Sequence, residues 1–65
     1  MMTFDNIRQA RMWLRELSEE TTAEYGNHSV MEYSNGEIEL VAPGEEHSDT
    51  SDAPLCLGTV AEVLY

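Results

Sequence analysis

The dipeptide Asn35-Gly36 constrains the fold of this chain more than any other local feature. It lies between two segments of alternating polarity, residues 28–34 and 37–42. An Asn-Gly pair in that setting favours a two-residue β-hairpin turn, because both residues adopt positive φ angles at low cost. The sequence therefore predicts an antiparallel hairpin in the middle of the chain.

A two-residue turn also fixes the register of the predicted hairpin. The cross-strand partners are then Ser34 with Glu37, Tyr33 with Ile38, Glu32 with Glu39, and Met31 with Leu40. We therefore expect one apolar face that packs on a helix and one acidic face that carries Glu32, Glu37 and Glu39. A slip of one residue would scramble these two sets of side chains.

The segment before the hairpin has the periodicity of an amphipathic helix. At about 100° per residue, one arc contains the apolar side chains of Ile7, Ala10, Trp13, Leu14 and Leu17. We expect Thr3 or Asp5 to cap this helix. The pair Gly26-Asn27 is expected to end it, because either residue accepts a left-handed conformation.

The segment 53–65 has two interpretations. A cap at Ser51 or Asp52, with Pro54 in the first turn, favours a short helix. Gly58 and the neighbouring β-branched residues permit a third strand instead. The expected fold is a single α+β domain spanning residues 1–65. In it, an N-terminal amphipathic helix packs on the hairpin, and an acidic loop and a short C-terminal helix (or third strand) follow.

The charge of the chain restricts its partners. Thirteen Asp and Glu residues oppose three arginines, Arg8, Arg11 and Arg15, for a formal net charge of −10. From Glu16 to Tyr65 there are twelve acids and no Lys or Arg. Because such a stretch repels nucleic acid and acidic membrane surfaces, we expect a basic protein partner.

Catalytic and metal-binding motifs are absent from the sequence. His28, His47 and Cys56 lack the paired spacing of a zinc site. A pair of carboxylates needs a cleft that a chain of this length rarely encloses. Because Cys56 lies between Leu55 and Leu57, we expect it to be a small buried hydrophobic residue and not a nucleophile paired with His28 or His47. We therefore expect a non-enzymatic protein without metal or cofactor. The single cysteine and the lack of a long apolar run indicate a cytoplasmic protein. We expect it to be a monomer.

The acids of the hairpin and the following loop are the candidate partner-binding residues. Like charges opposed across a sheet cost about 0.2–1 kcal/mol, and that cost favours a surface which meets Lys and Arg of a partner. Simple solubility, or neutralisation by Arg8 or Arg11, remains the alternative. The candidate set is Glu32, Glu37, Glu39, Glu45, Glu46, Asp49 and Asp52.

The Lys-free acidic chain, its helical segment 4–20 and its turn Ser34-Asn35-Gly36-Glu37 resemble small phage-encoded anti-CRISPR proteins. The resemblance is to the DNA mimics that inhibit type I-C systems. It implies binding to the basic DNA-binding surface of a subunit of the Cascade surveillance complex, and it carries over no catalytic residues. The alternative is an acidic interaction module, such as an antitoxin or assembly subunit, whose partner is basic for reasons unrelated to DNA.

Overall fold

The computed structural model describes residues 2–45 and 53–65 and confirms the α+β class. In chain order its elements are β1 (Met2–Phe4), α1 (Ile7–Arg15), α2 (Glu19–Tyr25), β2 (Ser29–Glu32), β3 (Ile38–Val41), β4 (Leu55–Thr59) and α3 (Val60–Val63). The four strands form one antiparallel sheet in the order β1-β3-β2-β4. β3 has a neighbouring strand on both sides, and all four of its residues are buried.

The prediction of one continuous N-terminal helix is wrong at its beginning. Residues 2–4 are extended and pair with β3, so that Met2 lies opposite Leu40. The cap of α1 is Asn6, whose side-chain oxygen accepts a hydrogen bond from the backbone N–H of Gln9 at 3.0 Å. The expectation of a cap at Thr3 or Asp5 is therefore wrong, because Thr3 belongs to the strand and Asp5 precedes the actual cap.

The predicted helix is also interrupted in its middle. α1 ends at Arg15, and Ser18 begins α2 as its N-cap by accepting from the backbone N–H of Thr21 at 3.2 Å. α2 ends at Tyr25, beside the expected stop, but Gly26 follows in a right-handed conformation with φ of −55°. The position of the stop is therefore correct, whereas its predicted left-handed geometry is wrong.

The central hairpin is confirmed, but its loop contains three residues rather than two. Tyr33 accepts from the N–H of Gly36 and donates its own N–H to Glu37, both at 2.9 Å. The side chain of Asn35 accepts from the N–H of Glu37 at 2.9 Å, and Gly36 has φ of +90°. This is the three-residue connection in which a turn is followed by a glycine in the left-handed region.

The longer loop shifts the register by one residue, so the predicted pairing is wrong. Glu32 lies opposite Ile38 and Met31 opposite Glu39, which exchanges the two faces of β2. The helices pack on the face that carries Val30, Ile38 and Leu40. These three residues belong to one buried cluster with Ala10, Leu14, Val60 and Leu64.

Both interpretations of the C-terminal segment are partly correct, because it forms a strand and then a helix. β4 pairs with β2, and Thr59 then caps α3. Gly58 has φ of +129°, and a Cβ atom there would lie 3.2 Å from Cγ2 of Val63. Only glycine therefore fits at the point where the strand gives way to the helix.

Candidate binding surface

Glu39, a predicted binding residue, is buried in the sheet. Its exposed fraction is 1%, and its Oε1 accepts a hydrogen bond from the hydroxyl of Tyr33 at 2.5 Å. The sequence interpretation assumed a two-stranded hairpin with one solvated face. In the structure, β1 and β2 flank β3, so Thr3 and Met31 lie on either side of Glu39 in the same row. The expectation that this carboxylate lies on an acidic surface is therefore wrong.

The other predicted acids are not gathered on one hairpin face. Glu32 and Glu37 are half-buried, and they lie on opposite faces because Glu32 shares a row with Ile38. Glu45 is exposed. The remaining predicted residues, Glu46, Asp49 and Asp52, lie outside the described residues. The opposed pair of Glu32 and Glu39, on which the predicted repulsion depended, does not exist.

A different set of acids is exposed around α2. We call residues Glu16, Glu19, Glu20 and Glu24 the α2 acidic segment, and all four are exposed. Glu20 and Glu24 are one helical turn apart, so their Cβ atoms lie about 5–6 Å from each other. The signal for this segment was present in the sequence, because Ser18 followed by two glutamates is typical of a helix N-terminus.

Charge placement within α2 has opposite effects at its two ends. Glu19 and Glu20 occupy the first turn, where a negative charge is favourable to the helix dipole. Glu24 lies in the last turn, which contains no basic residue. A carboxylate at that end is unfavourable, and so is its proximity to Glu20. Glu24 therefore contributes surface charge at a cost in stability.

Two hydrogen bonds from Thr59 explain the pKa of the Glu62 carboxylate. Its Oε1 accepts from the backbone N–H of Thr59 at 3.1 Å and from the Thr59 hydroxyl at 3.0 Å. Thr59 in turn accepts from the N–H of Glu62, which completes a capping box. The backbone hydrogen bond, followed by the side-chain one, lowers the pKa of Glu62 from its usual value of 4.5. This acid has a structural role at the start of α3.

Two of the three arginines line a groove between the helices. The groove has a volume of about 480 Å³ and is lined by Arg11, Leu14, Arg15, Thr22, Leu64 and Tyr65. A guanidinium nitrogen of Arg11 donates to the carbonyl of Val63 at 3.4 Å. The hydroxyl of Tyr65 donates to the carbonyl of Thr22 at 3.0 Å, so a hydrogen bond joins two residues of the lining. The sequence interpretation identified the arginines but not this groove.

The residues considered for catalysis occupy separate environments. The His28 ring packs on Tyr25 with 5.0 Å between ring centroids, and its Nδ1 is buried without a hydrogen-bond partner. Cys56 is exposed on β4, where it lies opposite Met31, so the expectation that it is buried is wrong. Within residues 2–45 and 53–65, no three metal-ligating side chains are grouped closely enough to hold an ion.

Comparison of the chain with protein-family models, with curated proteins and with solved structures gives no match. Among the helices of the described ranges, none has the length and apolar character needed to cross a membrane. The assignment of a function therefore depends on the charges and geometry described above.

Proposed function

We propose that this protein is a non-catalytic inhibitor that mimics the charge of DNA. It occupies the basic DNA-binding site of a type I CRISPR surveillance complex, Cascade, and acts as a monomer in the cytoplasm of a bacterial host cell. The observation that carries the proposal is the α2 acidic segment, four exposed carboxylates in a region of the chain without Lys or Arg. Glu45, which lines a small pocket together with Tyr25 at the end of α2, extends the contact.

The chemistry of recognition supports this proposal. Arginine binds carboxylates and phosphates through the same bidentate geometry, so a surface of spaced carboxylates satisfies groups that otherwise bind a DNA backbone. Helical spacing of about 5–6 Å holds such carboxylates in a row. The molecule has principal extents of 35 × 24 × 18 Å, so it is elongated and narrow enough to lie along a groove that receives a duplex.

The energetic cost at Glu24 also supports a binding role. A charge that weakens its own helix is expected to be relieved when a partner supplies Lys or Arg to the same position. Solubility alone is served equally well by acids at favourable positions, such as the first turn of α2. The partner-bound state therefore explains the placement of the charge as well as its sign.

The proposal is tested by competition between the protein and target DNA for purified Cascade. We expect the protein to displace fluorescently labelled DNA, and we expect its affinity to fall steeply as salt is added. Simultaneous binding of DNA and protein with unchanged affinities would show that occlusion is wrong. Binding to a basic partner that does not handle nucleic acid would favour the interaction-module alternative.

Matched charge reversals locate the binding surface. The variant Glu24→Lys and the control Asp5→Lys change the net charge equally, and both positions are exposed. We expect the first variant to lose far more affinity than the control. Equal losses would mean that net charge acts at long range and that the α2 acidic segment is not the contact.

A further inference from the structure

The groove between α1, α2 and α3 is the feature that the proposed function leaves unexplained. The buried side chains of Leu14 and Leu64 form its apolar floor, and Tyr65 also lines it. Arg11 and Arg15 also line the groove. They are two of the three arginines in a sequence that has no Lys and a net charge of −10. Cationic donors above an apolar floor define a site for an anion that has an apolar portion.

The two guanidinium groups are suitably arranged to act together. Arg11 and Arg15 are four residues apart on α1, so they share one face of the helix. The hydrogen bond to Val63 anchors Arg11 against α3 and uses one of its five N–H donors. Arg15 lies in the last turn of α1, where the helix dipole favours a cation. Both side chains therefore have donors that can bind a carboxylate.

We propose that this groove binds a single acidic side chain, flanked by an apolar residue, of the partner protein. A polyanion such as nucleic acid is disfavoured as the ligand, because the net negative charge of the chain repels it. A single carboxylate carries little charge and can accept hydrogen bonds from both guanidinium groups. The groove is open to solvent, so part of a ligand bound in it stays uncovered by this protein. A protein segment brings its own second wall, whereas a free small acid would remain largely exposed.

This inference depends on the proposed function only in taking the partner to be a protein. The inference adds a basic contact beside the acidic surface. Two contacts of opposite charge would fix the position and orientation of the protein on its partner, which attraction at the acidic surface alone would not do. A partner that presents both a basic groove and a nearby acidic side chain would thereby be distinguished from other DNA-binding proteins.

The test uses the full chain and two blocked peptides, acetyl-Phe-Glu-Leu-amide and acetyl-Phe-Gln-Leu-amide, followed by NMR of backbone amides and arginine Nε–Hε groups. We expect the Glu peptide to shift the signals of Arg11, Arg15 and Leu64 in a saturable manner. The Gln peptide should bind at least about tenfold more weakly, because it lacks the charge. Hydrocinnamate serves as the free small acid, and it should bind more weakly than the Glu peptide.

Matched variants separate the groove from general electrostatics. Arg15→Gln and Arg8→Gln make the same charge change on the same helix, and Arg8 does not line the groove. We expect Arg15→Gln to weaken binding of the Glu peptide about tenfold or more, and we expect Arg8→Gln to leave that affinity nearly unchanged. Any one of four results would overturn the inference. These are equal effects of the two variants, equal affinities for the two peptides, tighter binding of hydrocinnamate than of the Glu peptide, and the absence of a saturable shift at millimolar peptide. Since Cascade is not used, these outcomes are independent of the competition experiment.

Discussion

Tyr33→Phe is expected to destabilise the protein by about 1.5–3 kcal/mol, the usual contribution of a hydrogen bond to a charged group. The substitution removes the hydroxyl that donates to Glu39 at 2.5 Å, and both side chains are buried, with exposed fractions of 8% and 1%. A domain of this length typically has a total stability of roughly 3–10 kcal/mol. The loss would therefore be a large part of the total, with a fall in Tm of more than about 6 °C.

The assay is urea denaturation followed by circular dichroism, with Tyr65→Phe as the matched control. Tyr65 also donates one hydrogen bond, but to the neutral carbonyl of Thr22, and its side chain is 66% exposed. We therefore expect the control to lose less than about 1 kcal/mol. If Tyr33→Phe costs no more than Tyr65→Phe, the carboxylate of Glu39 is open to water and the argument from burial fails.

A double-mutant cycle with Glu39→Gln tests the hairpin register itself. The glutamine keeps a hydrogen-bond acceptor but removes the charge, so Tyr33→Phe should cost less in that background, by about 0.5–3 kcal/mol. The register of a two-residue loop would place the two side chains on opposite faces of the hairpin. Additive effects would therefore favour that register and contradict the three-residue loop.

Three further predictions concern local geometry and charge. Gly36→Ala should lower the free energy of unfolding, measured in urea, by about 1–2 kcal/mol, because φ is +90° at this position. A clash cannot be the cause, since no atom lies within 4 Å of the added Cβ. Gly26, with φ of −55°, is the control, and an equal loss in Gly26→Ala would contradict the argument from φ. The stability that ionised Glu62 contributes is fully present above its unfolded-state pKa and is lost as the pH falls through its lowered folded-state pKa. Glu62→Gln should therefore make the urea midpoint depend less on pH below about pH 4.5. If the variant and the original protein show the same dependence on pH, the capping argument is refuted. Glu24→Gln should raise thermal stability by about 0.5 kcal/mol while weakening partner binding, and a fall in stability would show that Glu24 has a structural role.

The hairpin and the fold class were predictable because their signals are local. Asn35-Gly36 and the alternating segments beside it indicate a reversal of the chain at one place. The number of loop residues was not predictable from them, since an Asn-Gly pair fits a two-residue turn and also the last two positions of a three-residue loop. Ile38 and Leu40 face the core in both registers, so the apolar pattern of β3 did not distinguish the alternatives.

Two features were not predicted from the sequence: β1, which depends on a distant partner, and the break in the helix, which depends on a local cap. β1 has three residues and is extended because it pairs with β3, which lies more than thirty residues further along the chain. The break between α1 and α2 falls within a continuous apolar arc without Gly or Pro, so only the capping signal of Ser18 marks it. The α2 acidic segment was missed for the same reason, since it was read as the outer face of one long helix.

The four-stranded sheet separates acids that maintain the fold from acids available to a partner. Glu39 is buried on the central strand β3 and accepts a hydrogen bond from Tyr33, whereas Glu24 remains exposed in the last turn of α2, where its charge is unfavourable. If the α2 acidic segment is the binding surface, variants at the two positions must behave in opposite ways. Glu39→Gln should change stability but leave the affinity of the folded fraction for Cascade unaltered, and Glu24→Gln should lower that affinity in a more stable protein. Binding that follows stability at both positions would show that the charge itself has no role in recognition.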